Sequence, residues 1–256
     1  MFVLVLFAFP VYAFAWGMLG HRIVGGIAEY YLMEKARKKI QEILGSETLA
    51  MAGNWGDFIK SDVTYKYLSS WHYINLPVGL NRDQLGDYLE KDTAQDAYTR
   101  LQFLKKELKT GNLAPATRLF YLKMLIHLAE DMSQPMHAAR QADQGGNRLR
   151  VYWFNTPSNL HRVWDEQLIE YQQLSYTEYI AAINHPGKAQ VRDWQAASIG
   201  QWVWDAYHLS ERLYAEVESG DRLSFAYNFR NVSDLNEQLL KGGIRLAGLL
   251  NEIFEK

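Results

Sequence analysis

The sequence predicts a mostly α-helical, all-α protein, and three observations lead there. Apolar residues recur every three or four positions through long segments, those segments hold few glycines or prolines, and the turn-forming residues gather between them. The opening stretch, MFVLVLFAFPVYAFA, is the exception. It has no charged side chain and ends in Ala13-Phe14-Ala15, the small-x-small pattern that signal peptidase accepts. Residues 1–15 are therefore read as a signal peptide and 16–256 as the mature domain, since 1–15 is too short to persist as a membrane anchor. Helical periodicity then runs through 21–44 and 83–108. In 115–133, Pro115 suits a first helical turn, and Leu119, Leu122, Leu125 and Leu128 mark an inward-facing stripe. Segments 160–173, 193–219 and 233–255 complete the helical set. Loops are expected at 109–114, at 141–148 where Gly145-Gly146-Asn147 falls, and near Pro157 and Pro186. Neither a Pro/Ser-rich linker nor an internal repeat divides 16–256, so one domain is the simpler expectation.

Composition narrows the function classes. With 27 Lys and Arg against 29 Asp and Glu, the formal charge is −2, too low for bulk electrostatic capture of nucleic acid. A nucleic-acid enzyme of this charge must hold phosphate with local cations or metals. There is no cysteine, which excludes disulfides and thiolate ligands even in an exported chain. Any zinc must be held by nitrogen and oxygen. No stretch after the leader approaches about 18 uninterrupted apolar residues, so a soluble mature protein, secreted or periplasmic, is expected.

The histidines carry the chemistry. Of seven, His127 lies four residues before Asp131 and His161 four before Asp165, each within a predicted helix. That spacing puts both side chains on one face, one turn apart, so two ligands converge without bending the backbone. A single His–Asp pair is more often a surface ion pair than a metal site. Here Gln134-Pro135-Met136-His137 follows the first pair, ends its helix and supplies a third imidazole. Asp57 in Asn54-Trp55-Gly56-Asp57 and His72 in Ser70-Trp71-His72-Tyr73 add further donors beside aromatics and turns. A cut after Ala15 would make Trp16 the N-terminal residue, five positions before His21, and free its α-amine and carbonyl as ligands. The pattern points to an exported zinc hydrolase.

Taken in order, Trp16-Gly17…Gly20-His21, Trp55-Gly56-Asp57, Trp71-His72-Tyr73, His127-Leu-Ala-Glu-Asp131…Pro135-Met136-His137, Gly145-Gly146-Asn147 and Asn159-Leu160-His161…Trp164-Asp165 resemble the zinc-dependent S1/P1 single-strand nucleases and 3′-nucleotidases of fungi, plants and bacteria. The resemblance covers nearly all of 16–256. It implies a single-domain helical fold shared with the trinuclear-zinc phospholipase C enzymes, with three Zn2+ ions in a cleft. By that resemblance one zinc takes Asp57, His72, His127 and Asp131. A second takes His137, His161 and Asp165. The third takes the amine and carbonyl of Trp16, His21 and the other oxygen of Asp131, which thus bridges two ions.

The resemblance further implies hydrolysis of phosphodiester bonds in single-stranded DNA and RNA, with 5′-phosphate products and removal of phosphate from 3′-nucleotides. A hydroxide shared by two zinc ions would attack phosphorus. Lys60 matches a position that carries a cation towards the phosphate. Tyr73 matches an aromatic on which a base stacks, and Asn75 a polar position at the base edge. Many members have Asp there, so Asn, which both donates and accepts, predicts tolerance of several bases. Gly145, Gly146 and Asn147 would let the backbone approach the substrate closely. The lack of cysteine departs from disulfide-bearing plant and fungal members and suits a bacterial one. No stable protein partner is implied, and a monomer is the default. Two alternatives stay open: a zinc phospholipase C, against which stand the short Trp16–His21 spacing and Asp165 where those enzymes carry Glu, and a non-catalytic zinc-binding protein. Asp143, His185 and His208 are read as structural or surface residues.

Overall fold

The computed structural model describes residues 16–255; the expected leader lies outside the described residues. The fold is mainly helical, as predicted. Helices form in every segment the periodicity marked, and also at Leu49–Ala52, Trp55–Phe58 and Tyr176–Ile183, which it did not mark. Three predicted helices break in two. Segment 21–44 becomes Met18–Tyr31 and Glu34–Leu44, because Leu32 and Met33 are extended. One side chain fixes that break: Asn251 donates to Tyr31 O and accepts from Met33 N. Segment 83–108 becomes Arg82–Glu90 and Ala97–Thr110, each opened by a capping box, at Asn81 with Gln84 and at Asp96 with Thr99. Segment 193–219 divides into Lys188–Gln195 and Ile199–Glu216, where the Ser198 side chain accepts from Gln201 N.

The helix Pro115–Asp131 runs through the centre, with Pro115 in its first turn. Its predicted leucine stripe is too narrow a description. Met124 and Ile126 are as completely buried as Leu122, Leu125 and Leu128, so its C-terminal half is enclosed on every side. The long C-terminal helix, Phe225–Phe254, starts well before the predicted 233 and packs along Met18–Tyr31.

Short strands, which the sequence did not predict, complete the architecture. Ile74–Leu76 pairs in parallel with Ala138–Arg140, matching Asn75 with Ala139. Arg150–Trp153 lies between antiparallel Thr156–Asn159 and parallel Arg222–Leu223. Pro157 is therefore in a strand rather than a loop. It is tolerated because Thr156–Asn159 is an edge strand, where a missing N–H leaves no ladder bond unmade.

The buried apolar side chains form two clusters. One surrounds the central helix and includes Leu101, Leu104, Leu125 and Leu250; the other gathers Trp16, Trp164, Tyr179 and Tyr227. Met18–Tyr31 belongs to both, giving Ala28 to the first and Ile23, Val24 and Ile27 to the second. His21 on this helix and Asp131 at the end of the central helix bring the polar groups to the seam between the clusters. Among the described residues no helix is long and apolar enough to cross a membrane.

Candidate metal centre

Asp131 is the last residue of the central helix, fully buried, and its two oxygens face different partners. Oδ2 lies 3.1 Å from His72 Nδ1 and 3.2 Å from His127 Nε2. Oδ1 lies 3.6 Å from His21 Nε2 and 3.8 Å from His137 Nδ1. Asp57 spans a neighbouring gap, with Oδ2 3.7 Å from His21 Nε2 and Oδ1 3.8 Å from His127 Nε2. A third group stands beside these: Asp165 Oδ1 is 3.7 Å from His137 Nε2, and Oδ2 is 3.1 Å from His161 Nε2. The His161–Asp165 pair is not on a regular helix. Its turn widens into a π-turn over Val163–Gln167, a distortion that recurs at functional sites.

Three sets of donor atoms thus lie within 4.8 Å of one another: His21, Asp57 and His127; His72, His127 and Asp131; and His137, His161 and Asp165. The structure brings together every side-chain ligand that the resemblance implied.

The imidazoles are aimed by their other nitrogens. His127 Nδ1 meets Gly53 O at 2.6 Å, His137 Nδ1 meets His72 O at 2.7 Å, and His161 Nδ1 meets Gly145 O at 2.7 Å. Each carbonyl accepts the Nδ1 proton and leaves Nε2 with its lone pair towards the carboxylates, which is the tautomer a metal requires. His21 Nδ1 is held instead by Glu130 Oε2 at 2.6 Å, and Gln134 Nε2 donates to Asp165 Oδ1. Glu130 and Gln134 are the functional residues that sequence reading missed. Glu130 was detectable as a further carboxylate one turn from His127, hidden by its neighbour Asp131.

Several buried atoms of this site, His21 Nε2, His72 Nε2, Asp131 Oδ1 and His137 Nε2, have no protein hydrogen-bond partner. Converging lone pairs of this kind, all nitrogen and oxygen, fit a divalent ion such as zinc. Electrostatics agrees at four of the groups, His21, His72, His137 and Asp57. Burial, then His127, pushes His21 down to about 3; burial, then Lys60, lowers His72 to about 4; burial lowers His137 to about 3. Burial opposes ionisation of Asp57, yet His127 and Lys60 outweigh it and hold the carboxyl at about 2. Neutral His21, His72 and His137 beside an ionised Asp57 are the protonation states that ligands need. Burial opposes charge on His127, but Asp131 and Asp57 outweigh it and raise that imidazole, and burial raises Asp165 to about 7.

Trp16 is fully buried, and its indole Nε1 donates to Glu130 O at 3.0 Å and to Ser133 Oγ at 2.9 Å. Gly17 N donates to Asp165 O at 2.9 Å, so the start of the described chain is fastened at the site. Whether its amine is free depends on the cut after Ala15, outside the described residues. Lys60 Nζ contacts Asp57 Oδ1 at 2.6 Å. Tyr73 and Asn75 are half-buried on the segment leaving His72, with Asn75 beside Ala139 through the strand pair. Gly145 and Gly146 have φ of +62° and +80°, as the left-handed turn requires. The close approach they permit is to the protein's own chain: a Cβ at Gly145 would strike Met136 O, and one at Gly146 would lie 3.1 Å from Met136 Sδ. Asn147 lines a cleft of about 720 Å³ together with His161, Asp165, Arg150, Tyr152 and Arg162. Asp143 accepts from Tyr214 OH, His208 stacks on Trp204, and His185 is exposed, so none joins the three groups.

The whole described chain, residues 16–255, matches the model of a family described as S1/P1 Nuclease. It is 27% identical to Endonuclease 3 of Arabidopsis thaliana over 266 residues, covering 94% of this chain and 90% of that protein. It is 28% identical to Nuclease P1 of Penicillium citrinum over 272 residues, covering 93% and 97%.

Proposed function

Because this chain belongs to the S1/P1 nuclease family, we propose that it is a secreted, zinc-dependent endonuclease of single-stranded DNA and RNA that leaves 5′-phosphate ends and also removes phosphate from 3′-nucleotides. The observation that carries the reading is Asp131, whose two oxygens face two different sets of imidazoles while a third His–Asp group stands beside them. Asp57, His72, His127 and Asp131 would hold one zinc, His137, His161 and Asp165 a second, and Trp16, His21 and Asp131 a third. When bound, the three ions supply Lewis acidity, bringing water towards ionisation near neutral pH and offsetting charge on the phosphate.

The chain's own residues position and select. Lys60, fastened to Asp57, adds a fixed cation at the wall of the site, where transition-state charge develops. Tyr73 offers a ring on which a base can stack, worth about 1–3 kcal/mol and available only to an unpaired base, which accounts for a single-strand preference. Asn75 reads the base edge with both a donor and an acceptor, so several bases should be accepted. Burial keeps His21, His72 and His137 neutral and excludes competing water.

The test is cleavage of single-stranded DNA by the purified protein before chelation, after it and after zinc is restored. Activity that disappears with chelator, returns with zinc and leaves 5′-phosphate ends supports the reading. A zinc-loaded protein that cuts no nucleic acid overturns it.

A further inference from the structure

Asp57 also borders a groove of about 760 Å³ that shares only Glu166 among its lining residues with the cleft at His161. Its walls come from the start of Met18–Tyr31, from the segment between Glu47 and Phe58 that carries Asp57, and from Glu166 and Glu170, and neither Tyr73 nor Asn75 contributes to it. It is rimmed by large apolar side chains left in solvent beside a metal-ligand carboxylate: Phe58 is 78% exposed, Met18 64% and Met51 48%, with half-buried Trp55 behind them. A folded chain gains nothing from exposing such a group at the mouth of a polar site, and exposed apolar patches of this kind mark binding surfaces.

We infer that this groove seats the base of the nucleotide on the 3′ side of the scissile phosphate. The inference rests on the nuclease reading and extends it. Breaking the P–O3′ bond leaves one nucleoside on the departing 3′-oxygen and another on the phosphate, so a polynucleotide presents two bases to the metal centre. Tyr73 serves the departing one. The groove is continuous with the centre through Asp57 and offers the second a ring, Phe58, and two thioethers to lie against.

Its polar groups favour a base over other occupants. Arg22 and Asn54 line it, giving donors and an acceptor suited to a heterocycle edge. Glu166, paired with Arg162 at 3.1 Å, and Glu170 also line it, giving carboxylate oxygens that can accept from an exocyclic amine. An acyl chain in the same place would strip water from these four side chains and return no hydrogen bond, which is unfavourable.

The test compares Phe58→Ala with the unsubstituted zinc-loaded enzyme on a dinucleotide and on a 3′-mononucleotide, which lacks the second base. The ratio of kcat/KM for dinucleotide over mononucleotide should fall roughly ten-fold or more, the loss of one stacked base. Phe58→Trp should restore it. Calorimetric binding of an uncleavable dinucleotide methylphosphonate should weaken by a similar factor in Phe58→Ala, independently of turnover. An unchanged ratio and unchanged binding in an active enzyme overturn the subsite alone. Loss confined to a short-chain phosphatidylcholine assigns the groove to an acyl chain instead. An unsubstituted enzyme that cleaves neither nucleotide overturns the nuclease reading, and the subsite with it.

Discussion

At the residue scale, Asp131 and Glu130 divide the work of one helix end. Asp131 turns its oxygens to two sets of imidazoles, whereas Asp165 serves a single set. Asp131→Asn should therefore lose more bound zinc than Asp165→Asn. It should also lose more activity, on the order of 10³-fold against the unsubstituted enzyme, since each ion contributes several kcal/mol to the transition state. Metal analysis and kcat/KM measured side by side decide it, and equal losses count against the bridge. Glu130 orients His21 from a fully buried position. Burial, then Asp131 and Asp57, push the Glu130 carboxyl well above its usual range. Glu130→Gln preserves size but puts an amide in place of the carboxyl that holds His21 Nδ1, so zinc affinity should fall about 10–100-fold while the fold survives. Unaltered affinity would show that this carboxyl does not orient His21. The candidate pairs His127–Asp131 and His161–Asp165 were legible from helical spacing, and the other candidate donors from the order of the motifs in which they fall. Their orienting partners were not, because most are backbone carbonyls, Gly53, His72 and Gly145, which any residue could supply.

At the scale of elements, periodicity located the helices but missed their interruptions. The Leu32–Met33 break depends on Asn251, more than two hundred residues away, and no local pattern announces it. The short strands were equally hidden, since pairing Ile74–Leu76 with Ala138–Arg140 is a tertiary event between segments too brief to show alternation. The capping boxes at Asn81 and Asp96 are local, yet the periodicity of 83–108 ran across the break that Asp96 makes. Asp96 caps Ala97–Thr110 through Thr99 N at 3.0 Å, and burial, followed by the side chain of Asp92, raises its carboxyl to about 7. An acid whose folded pKa exceeds its unfolded value of about 3.9 holds its proton longer when folded. Its contribution to stability is fully present at low pH and declines as pH rises from about 4 to 7. Asp96→Asn keeps a good cap but does not titrate. The substituted protein should therefore gain in Tm relative to the original between pH 5 and pH 8. A Tm difference that is the same at both values would disprove the assignment.

At the scale of the whole molecule, motif order along 16–255 foretold the family, because all the ligands must meet at one place. The two apolar clusters were not foreseeable, since burial on every side of the central helix leaves no amphipathic pattern to read. The site at their seam draws donors from His21 to Asp165, segments far apart along the chain. In a polypeptide with no cysteine, ions held there would act as removable cross-links. Each would bind the folded site and not the unfolded chain, and so would stabilise by mass action where a covalent bridge acts by restricting the unfolded chain. Such a protein answers to different chemistry from a disulfide-bonded one. A reductant should leave its Tm where it is, while a strong chelator should lower it by many degrees and restored zinc should raise it again. Melting curves under the three conditions check this, and a Tm indifferent to chelator would mean that the two clusters hold together without the ions. Its durability would then be set by the supply of free metal rather than by redox potential.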